Sequence, residues 1–418
     1  MKQNSFLIKK RIPKISLFQV FFSFRGKKIQ TGCAACLLFC LTLTLCCGCS
    51  PKTVRDVPLA ISGFAFNTTY TFTFYEGGDQ ELLNTCVEKC SEYEQIFSRT
   101  QEGSELYRVN QISRIYRQVW QRVQNVSDAE GLQSWHVPFA PRVYKKIKKE
   151  LTRELAAGNL SDLPVTLHKN GEISIHVSET LADILKQGLY YSKLSDGHFD
   201  ISIAPVSSLW DFTAETPVVP AEQTIKEALQ YINYRKIALQ KETLSFAIPG
   251  MQIDLGGIAK GYIADAMKEY LQKKGVKRGV INLGGNILCI GQRSESEPFH
   301  IGIQQPFADR NQTIASVRAS DSSIVSSGIY ERYFKGNDGT IYHHILNPKT
   351  GYPCDNGLIS VTILSKRSVD GDGLSTTVFT LGLDKGLELI NAMDGVEALL
   401  ITQDEKMHYS NNFKKYLI

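Results

Sequence analysis

The alternation of hydrophobic and polar positions predicts the main elements of this chain. Aromatic and β-branched residues alternate with polar ones over 64–75, which predicts a strand. Residues 80–97 place apolar side chains mostly three and four positions apart, the spacing of an amphipathic helix. A second helix is predicted after Ser178, a favourable N-cap residue, and a third over 259–271, with Gly275 ending it.

Shorter apolar runs surround these helices and predict further strands. They lie at 251–254, 279–283, 287–290, 300–304, 359–364 and 396–401. Helices and strands mix without strict βαβ alternation, so the expected fold class is α+β with mixed sheets rather than a doubly wound parallel sheet. We expect one domain over 61–418, preceded by a leader (1–49) and a linker (50–60).

The leader has the pattern of an export signal. Residues 1–28 carry eight basic side chains and no acidic one, and the apolar stretch 33–47 follows. At about 15 residues this stretch is short for a spanning helix, which needs about 20. It resembles a bacterial lipoprotein signal in which Gly48 precedes a lipidated Cys49, although Cys46 and Cys47 leave the cleavage point open. An uncleaved N-terminal anchor is the alternative, and either one predicts a membrane-tethered protein facing the extracytoplasmic side.

Composition and charge narrow the class of protein. The 418 residues include 47 basic and 42 acidic side chains, a formal charge of +5, and 43% are hydrophobic. These values exclude a disordered, collagen-like or multi-span membrane chain. Removing the eight leader charges from +5 leaves −3 for the rest, which argues against nucleic acid as the main partner.

Cysteines are concentrated in the same leader. Six of the ten lie between positions 33 and 49, and four remain for the rest of the chain, namely Cys86, Cys90, Cys289 and Cys354. Four cysteines in a long chain do not make a disulfide framework. Cys86 and Cys90 are one helical turn apart, and the sequence leaves their redox state open.

Residues 111–168 differ in amino-acid composition from the segments on either side. They contain two tryptophans and a basic run, made of Arg142, Lys145, Lys146, Lys148, Lys149 and Arg153. A charged amphipathic surface helix is the simplest interpretation, and contact with lipid headgroups is the alternative.

Three motifs could carry chemistry. In Asp254-Leu255-Gly256-Gly257 an acidic residue and two glycines precede a helix, and such a turn offers free N–H groups to a phosphate, with Lys260 adding charge. A similar glycine pair occurs at 284–285. The first motif has the spacing of neither a dinucleotide-binding nor a P-loop motif, so those two site types lose support, and the second glycine pair taken alone is equally typical of a β-turn.

The other two motifs offer a base and metal ligands. His343 and His344 are neighbours on a predicted strand and so point to opposite faces, which favours one of them as a base over joint metal binding. Asp372 and Thr376 are four positions apart on a predicted helix and share a face. One carboxylate and one hydroxyl suit Mg²⁺, although Asp372 could equally be the N-cap of that helix.

Taken in order, these segments resemble the ApbE family of flavin transferases, the FAD:protein FMN transferases. The resemblance runs over most of 64–395. The matching segments are Ser104 to Asn110, Asp196 to Pro205 with Leu209 to Phe212, Asp254 to Asp265, Asn282 to Gly285, Ser326 to Arg332, His344 to Gly351 and Asp372 to Thr376. The stretch 111–168 is longer than is usual in the family.

The resemblance implies an ApbE-like fold with FAD in a cleft between two lobes, and a Mg²⁺-dependent enzyme. It would move FMN from FAD to a Thr or Ser hydroxyl of an exported acceptor protein through a phosphoester bond and release AMP. It implies that Asp372, Thr376 and the main-chain carbonyl of Gly257 hold the metal, and that His344 is the base. The residues placed at FAD are Phe66, His198, Phe199, Asp200, Asp254, Lys260 and His344.

Two alternatives and one partner follow from the same resemblance. The same metal with water as nucleophile would give an FAD pyrophosphatase, producing FMN and AMP, and the absence of turnover would give an FAD-binding lipoprotein. The family's acceptor signal is Asp-x-x-[Ser/Thr]-Gly-Ala-[Ser/Thr], which does not occur in this chain. We therefore expect a separate acceptor flavoprotein.

Overall fold

The computed structural model describes residues 54–125, 139–309, 311–337 and 339–418. Its helices are α1 (Gln80–Phe97), α2 (Glu105–Gln124), α3 (Pro141–Ala157), α4 (Glu179–Leu194), α5 (Ala204–Ser207), α6 (Glu222–Leu229), α7 (Ala259–Lys273), α8 (Ser368–Leu381) and α9 (Leu383–Asn391). Its strands are β1 (Val54–Ala65), β2 (Thr68–Glu76), β3 (Val165–Leu167), β4 (Ile173–His176), β5 (Ile237–Gln240), β6 (Thr243–Phe246), β7 (Arg278–Leu283), β8 (Asn286–Ile290), β9 (Phe299–Gln304), β10 (Thr313–Ala319), β11 (Ser323–Gly328), β12 (Tyr333–Lys335), β13 (Ile341–His343), β14 (Leu358–Ser365), β15 (Glu397–Thr402) and β16 (Met407–Tyr409).

Eight of these strands form one antiparallel sheet, in the order β1-β2-β7-β8-β11-β14-β15-β16. Every side chain of β14 is buried, so the centre of the sheet is covered on both faces. Helix α8 packs against β11 and β14, and the β9–β10 hairpin contacts β2 through Phe299 and Tyr75, whose ring centroids are 5.4 Å apart. A second antiparallel sheet has the order β3-β4-β6-β5. The predicted α+β class is confirmed.

The first strands differ from their prediction. Residues 64–75 form the halves of a hairpin, because Phe66 and Asn67 both have φ of 56° and turn the chain. The predicted linker 50–60 is also wrong from Val54 onward. That segment is part of β1, where Leu59 pairs with Phe74 of β2, since an extended chain beside β2 satisfies backbone groups that would otherwise be unpaired at this edge.

Most other predicted elements are present. Helices occur over 80–97, after Ser178 and from Ala259, and Ser178 accepts a hydrogen bond from Leu181 N–H as an N-cap does. Gly275 follows α7 with φ of 90°. The strand predicted at 251–254 is absent, because that segment makes a single parallel bridge, between Gln252 and Ile203.

The four cysteines of the described chain are free and buried, and burial raises the pKa of each thiol to about 12. The described parts of 111–168 include most of α2 and all of α3, whose basic side chains are exposed. None of the described helices is long and apolar enough to cross a bilayer. The leader, including Cys49 and its predicted lipidation, lies outside the described residues.

Candidate active site

The turn before α7 fixes Asp254. Its backbone N–H donates to the Ile201 carbonyl at 2.8 Å, and the Gly256 N–H donates to its Oδ1 at 2.8 Å. The other carboxylate oxygen, Oδ2, lies 2.9 Å from Arg99 Nε and accepts the Ser207 hydroxyl at 2.7 Å. Burial would raise the pKa of Asp254, but Arg99 and these hydrogen bonds outweigh it, so the pKa lies below its usual range.

Gly257 allows three groups to meet at the end of this turn. A Cβ at Gly257 would lie 2.9 Å from Cε2 of Phe199 and 3.4 Å from Oγ1 of Thr376. The Gly257 backbone therefore adjoins both the Phe199 ring and the Thr376 hydroxyl, and a larger residue would push them apart. This close approach brings the predicted metal ligands Gly257 and Thr376 together.

Asp372 lies in the second turn of α8 and is 3% exposed. Its Oδ2 accepts the Gly261 N–H at 2.9 Å, and its Oδ1 lies 3.5 Å from Lys260 Nζ. The N-cap interpretation of Asp372 is therefore wrong. The carboxylate of Asp265, on α7, takes that role by accepting the N–H groups of Ser368 and Val369 at 2.8 and 2.9 Å.

The predicted metal ligands fit a hard cation. The carboxylate of Asp372, the hydroxyl of Thr376 and the main chain of Gly257 all present oxygen, the ligand type that Mg²⁺ prefers. Within the described residues no group of three or more His, Cys, Asp and Glu side chains could hold a metal ion. A site with one carboxylate suits Mg²⁺, which keeps waters and substrate phosphates in its other positions.

His344 has the geometry of a neutral base. Its Nδ1 lies 3.3 Å from the Arg332 carbonyl, a contact that assigns the ring proton to Nδ1 and leaves the lone pair on Nε2. Burial, followed by the charges of Arg332, His343 and Lys260, lowers the pKa of His344 to about 3, against the opposing effect of the Arg332 hydrogen bond. Lys260 thus acts electrostatically on both His344 and Asp372.

His198 is also held neutral, by different partners. Its Nδ1 lies 3.3 Å from the Thr380 carbonyl, and its Nε2 lies 3.2 Å from Lys349 Nζ. Nδ1 therefore donates and Nε2 accepts. Burial and the charge of Lys349 lower the pKa of His198.

Asp200 and Phe66, two of the predicted FAD-binding residues, have described contacts only outside the group formed by Asp254, Gly257, Lys260 and Asp372. The carboxylate of Asp200 is buried and accepts hydrogen bonds from the Ser202 N–H, the Ser202 hydroxyl and the Tyr234 N–H, so it ties its own loop together. Phe66 lies in the β1–β2 turn, where its N–H donates to Glu94 Oε1 at 2.7 Å. The contacts described for Phe66 do not connect it to Asp372.

Sequence reasoning missed the supporting residues Arg99, Ser207 and Lys349. Arg99 and Ser207 fix Asp254, and Lys349 fixes His198. No spacing pattern connects Arg99 to Asp254, which are 155 positions apart by their numbers. Lys349 lies inside the His344 to Gly351 motif, and its positive charge is the sequence feature that could have identified it as a supporting residue.

Comparison with known proteins gives the family. The family model for ApbE matches residues 139–400, well over half of the chain. The chain belongs to the ApbE family. A protein named FAD:protein FMN transferase from Klebsiella pneumoniae (strain 342) is 35% identical over 278 residues, covering 65% of this chain and 85% of the relative. Its namesake from Treponema pallidum (strain Nichols) is 32% identical over 255 residues, covering 57% and 70%.

Solved ApbE structures have the same fold. The flavin transferase ApbE from Vibrio cholerae superimposes with a TM-score of 0.66 at 24% sequence identity, covering 86% of this chain and 99% of that one. An ApbE protein from Thermotoga maritima gives the same TM-score at 24% identity. The predicted ApbE-like fold is therefore confirmed.

Proposed function

We propose that this ApbE family member transfers the FMN half of FAD to a Ser or Thr hydroxyl of a separate protein and releases AMP. The observation that carries the proposal is a neutral His344 with its lone pair on Nε2. The charge of Lys260 helps to lower the pKa of His344, and Lys260 Nζ also lies 3.5 Å from Asp372 Oδ1. A base and a phosphate-binding group are both needed, because a hydroxyl is a poor nucleophile and the pyrophosphate develops charge. The relatives named FAD:protein FMN transferase support the same reaction.

The bond changes are those of a phosphoryl transfer. The acceptor hydroxyl oxygen attacks the phosphorus of the FMN half, the bridging bond to the AMP phosphate breaks, and the hydroxyl proton passes to Nε2 of His344. The Nδ1–H bond to the Arg332 carbonyl keeps the ring oriented while Nε2 takes that proton. Asp372, Thr376 and the Gly257 carbonyl would hold a Mg²⁺ ion, which would neutralise the negative charge that develops on the pyrophosphate.

Local groups compensate for the net negative charge of residues 29–418. Lys260, the second residue of α7, has its Nζ 3.5 Å from Asp372 Oδ1 and 3.5 Å from the Gly256 carbonyl. A pyrophosphate at this point would gain the Lys260 charge and the positive end of the α7 dipole. We propose contacts to FAD from Phe66, His198, Phe199, Asp254, Lys260 and His344, and assign Asp200 a supporting role in its loop.

Incubation of residues 52–418 with FAD, Mg²⁺ and a peptide carrying Asp-x-x-Ser-Gly-Ala-Thr tests the proposal. We expect the peptide to gain the mass and fluorescence of FMN, with one AMP formed for each peptide modified. His344→Ala and Asp372→Ala should both abolish this gain. His300→Ala is the matched control, because His300 is an exposed histidine on β9 and its loss should leave the rate unchanged.

Other outcomes would select the alternatives. Release of free FMN and AMP with an unmodified peptide would indicate an FAD pyrophosphatase. Tight FAD binding without AMP formation would indicate an FAD-binding lipoprotein. Flavin attached to this chain itself would contradict the proposal of a separate acceptor.

We further propose that the protein is exported, anchored through a lipid on Cys49, and faces the extracytoplasmic side. The eight basic side chains of residues 1–28 and the apolar stretch 33–47 support this proposal. Growth of bacteria expressing the full chain with an alkyne-labelled fatty acid should label the protein, and Cys49→Ser should remove the label. Label that persists in Cys49→Ser but disappears in Cys47→Ser would move the cleavage point, and an unlabelled, full-length membrane protein would indicate an uncleaved anchor.

A further inference from the structure

A cavity of about 450 Å³ is lined by none of the residues placed at FAD or at the metal. The β9–β10 hairpin contributes Phe307 and Ile314 to its walls, and the main sheet contributes Ile359 and Ile401. His343 also lines it, whereas the next residue, His344, belongs to the candidate active site. The volume falls within the range of small-molecule sites, about 300 to 1,000 Å³.

The charged side chains among the described lining residues have one sign. Its apolar lining includes Ile314, Ile329, Ile341, Leu358, Ile359 and Ile401. Among the described residues that line the cavity, the charged side chains are Asp355 and Glu405, and none is a lysine or an arginine. His343 adds no positive charge near pH 7, since burial lowers its pKa to about 4. A ligand that matches these walls has an apolar body and a positive charge.

The rim of the cavity is held in an unusual backbone conformation. Phe307 has φ of 60° and is 48% exposed, and Glu405 also has φ of 60°. Positive φ is uncommon for such large side chains and costs free energy. The Phe307 ring is kept at the rim by edge contacts with Tyr330 and Tyr333, at centroid distances of 5.9 and 5.6 Å. An exposed aromatic ring fixed at the rim of an apolar cavity can cover an apolar or cationic ligand.

We propose that this cavity binds a small organic cation with an apolar body, such as an arylalkyl amine. The apolar body occupies the space between the β9–β10 hairpin and the main sheet, and the ammonium group lies at the rim near Asp355 and Glu405. Both carboxylates are exposed, so solvent screens them and the preference for a cation is modest. The site needs neither FAD nor Mg²⁺, which separates it from the proposed function.

Three ligands with one apolar body test the proposal on the unmodified residues 52–418. Calorimetric titration compares 4-phenylbutylamine, 4-phenylbutanol and 4-phenylbutyrate at low salt, with and without FAD. We expect affinity to fall in that order, with roughly a two- to fivefold step between successive ligands, as exposed charges give. Tighter binding of the carboxylate, or equal binding of all three ligands, would overturn the proposal.

Variants place the binding at this cavity. Ile314→Trp should fill the space and reduce amine affinity at least tenfold, and unchanged affinity in a folded variant would overturn the assignment. Asp355→Asn combined with Glu405→Gln alters only exposed rim side chains and should make the amine bind like the alcohol; an unchanged preference for the amine would also overturn it. Glu388→Gln, an exposed acidic position on α9 outside the lining, is the matched control and should keep the full preference.

Discussion

At the residue scale, His343 and His344 are both neutral but hold opposite tautomers. His343 is 4% exposed, and its Nε2 lies 3.0 Å from the Cys354 carbonyl while its Nδ1 accepts the Ile345 N–H at 3.3 Å. His344 carries its proton on Nδ1 instead, next to the Arg332 carbonyl. Both nitrogens of His343 are occupied, so it is structural, whereas Nε2 of His344 remains available as a base.

Protonation of His343 should destabilise the fold. Burial lowers its pKa from 6.5 to about 4. Between those values the unfolded chain binds the proton and the folded chain does not, so the free energy of unfolding falls as pH drops from about 6.5 to 4. Lowering the pKa from 6.5 to about 4 corresponds to a contribution of about 3 kcal/mol, at 1.36 kcal/mol per pKa unit.

Urea unfolding at pH 7.5, 6.0, 5.0 and 4.5 measures this dependence. His343→Gln should be less stable at pH 7.5 and show a smaller loss on acidification. His176→Gln, at a side chain that is 53% exposed, is the matched control and should retain the wild-type dependence. Identical pH dependence in wild type and His343→Gln would contradict the argument.

The charge of Asp372 should matter more for transfer than for folding. Asp372→Asn keeps an oxygen that can accept the Gly261 N–H but loses the charge that holds a cation. We expect FMN transfer to fall at least about 10²-fold, the order seen when an electrostatic stabiliser is removed. Asp370→Asn, two positions earlier, keeps an acceptor for the Tyr191 hydroxyl and should retain most of the transfer rate. Equal losses in both variants, measured by peptide flavinylation, would contradict a metal role for Asp372.

At the scale of elements, α7 and α8 carry the site jointly because they approach closely at Gly261. A Cβ there would lie 2.4 Å from the Ser368 carbonyl oxygen and 2.7 Å from Val369 Cα. The same approach lets the Gly261 N–H reach Asp372 and lets Asp265 cap α8. The two helices therefore have one relative position that satisfies the cap and the metal ligand together.

Gly261→Ala should destabilise the protein even though alanine favours helix. The gain in helix propensity is about 1 kcal/mol, whereas overpacking against backbone atoms typically costs about 1–3 kcal/mol, and backbone cannot move aside cheaply. We expect a lower Tm and weaker Mg²⁺-dependent transfer. Gly158→Ala is the matched control, since its nearest neighbours would lie 3.5 Å away. A Gly261→Ala protein as stable as wild type would contradict this close approach.

At the scale of the whole molecule, β1 covers the aromatic strand β2 at one end of the main sheet. It pairs with β2 from Ala65 and Thr68 back to Val54 and Glu76. β1 is itself the end strand, but without it β2 would take that place, and its buried Tyr70, Phe72 and Phe74 would make a more hydrophobic edge, which favours association between copies.

Truncation should separate the leader from this strand. We expect residues 53–418 to be monodisperse and cooperative in thermal unfolding, because β1 is complete. Residues 67–418 lack β1 and should show a lower Tm and larger species in size-exclusion chromatography. Equal Tm and equal elution behaviour of the two chains would contradict a protective role for β1.

The sequence by itself determined the local features of this protein. Apolar spacing predicted α1, α4 and α7, and motif order predicted the family, because these depend on residues that are close along the chain. The hairpin turn at Phe66 and Asn67 was missed, since one alternating pattern continues through both strands.

Only the tertiary structure decided how distant residues combine. Asp372 was compatible with either an N-cap or a metal ligand until α8 was seen to begin at Ser368, with Asp265 of α7 as its cap. The roles of Arg99 and Lys349 depend on contacts with residues 155 and 151 positions away. Such contacts are set by the packing of whole elements, and no local pattern of residues encodes them.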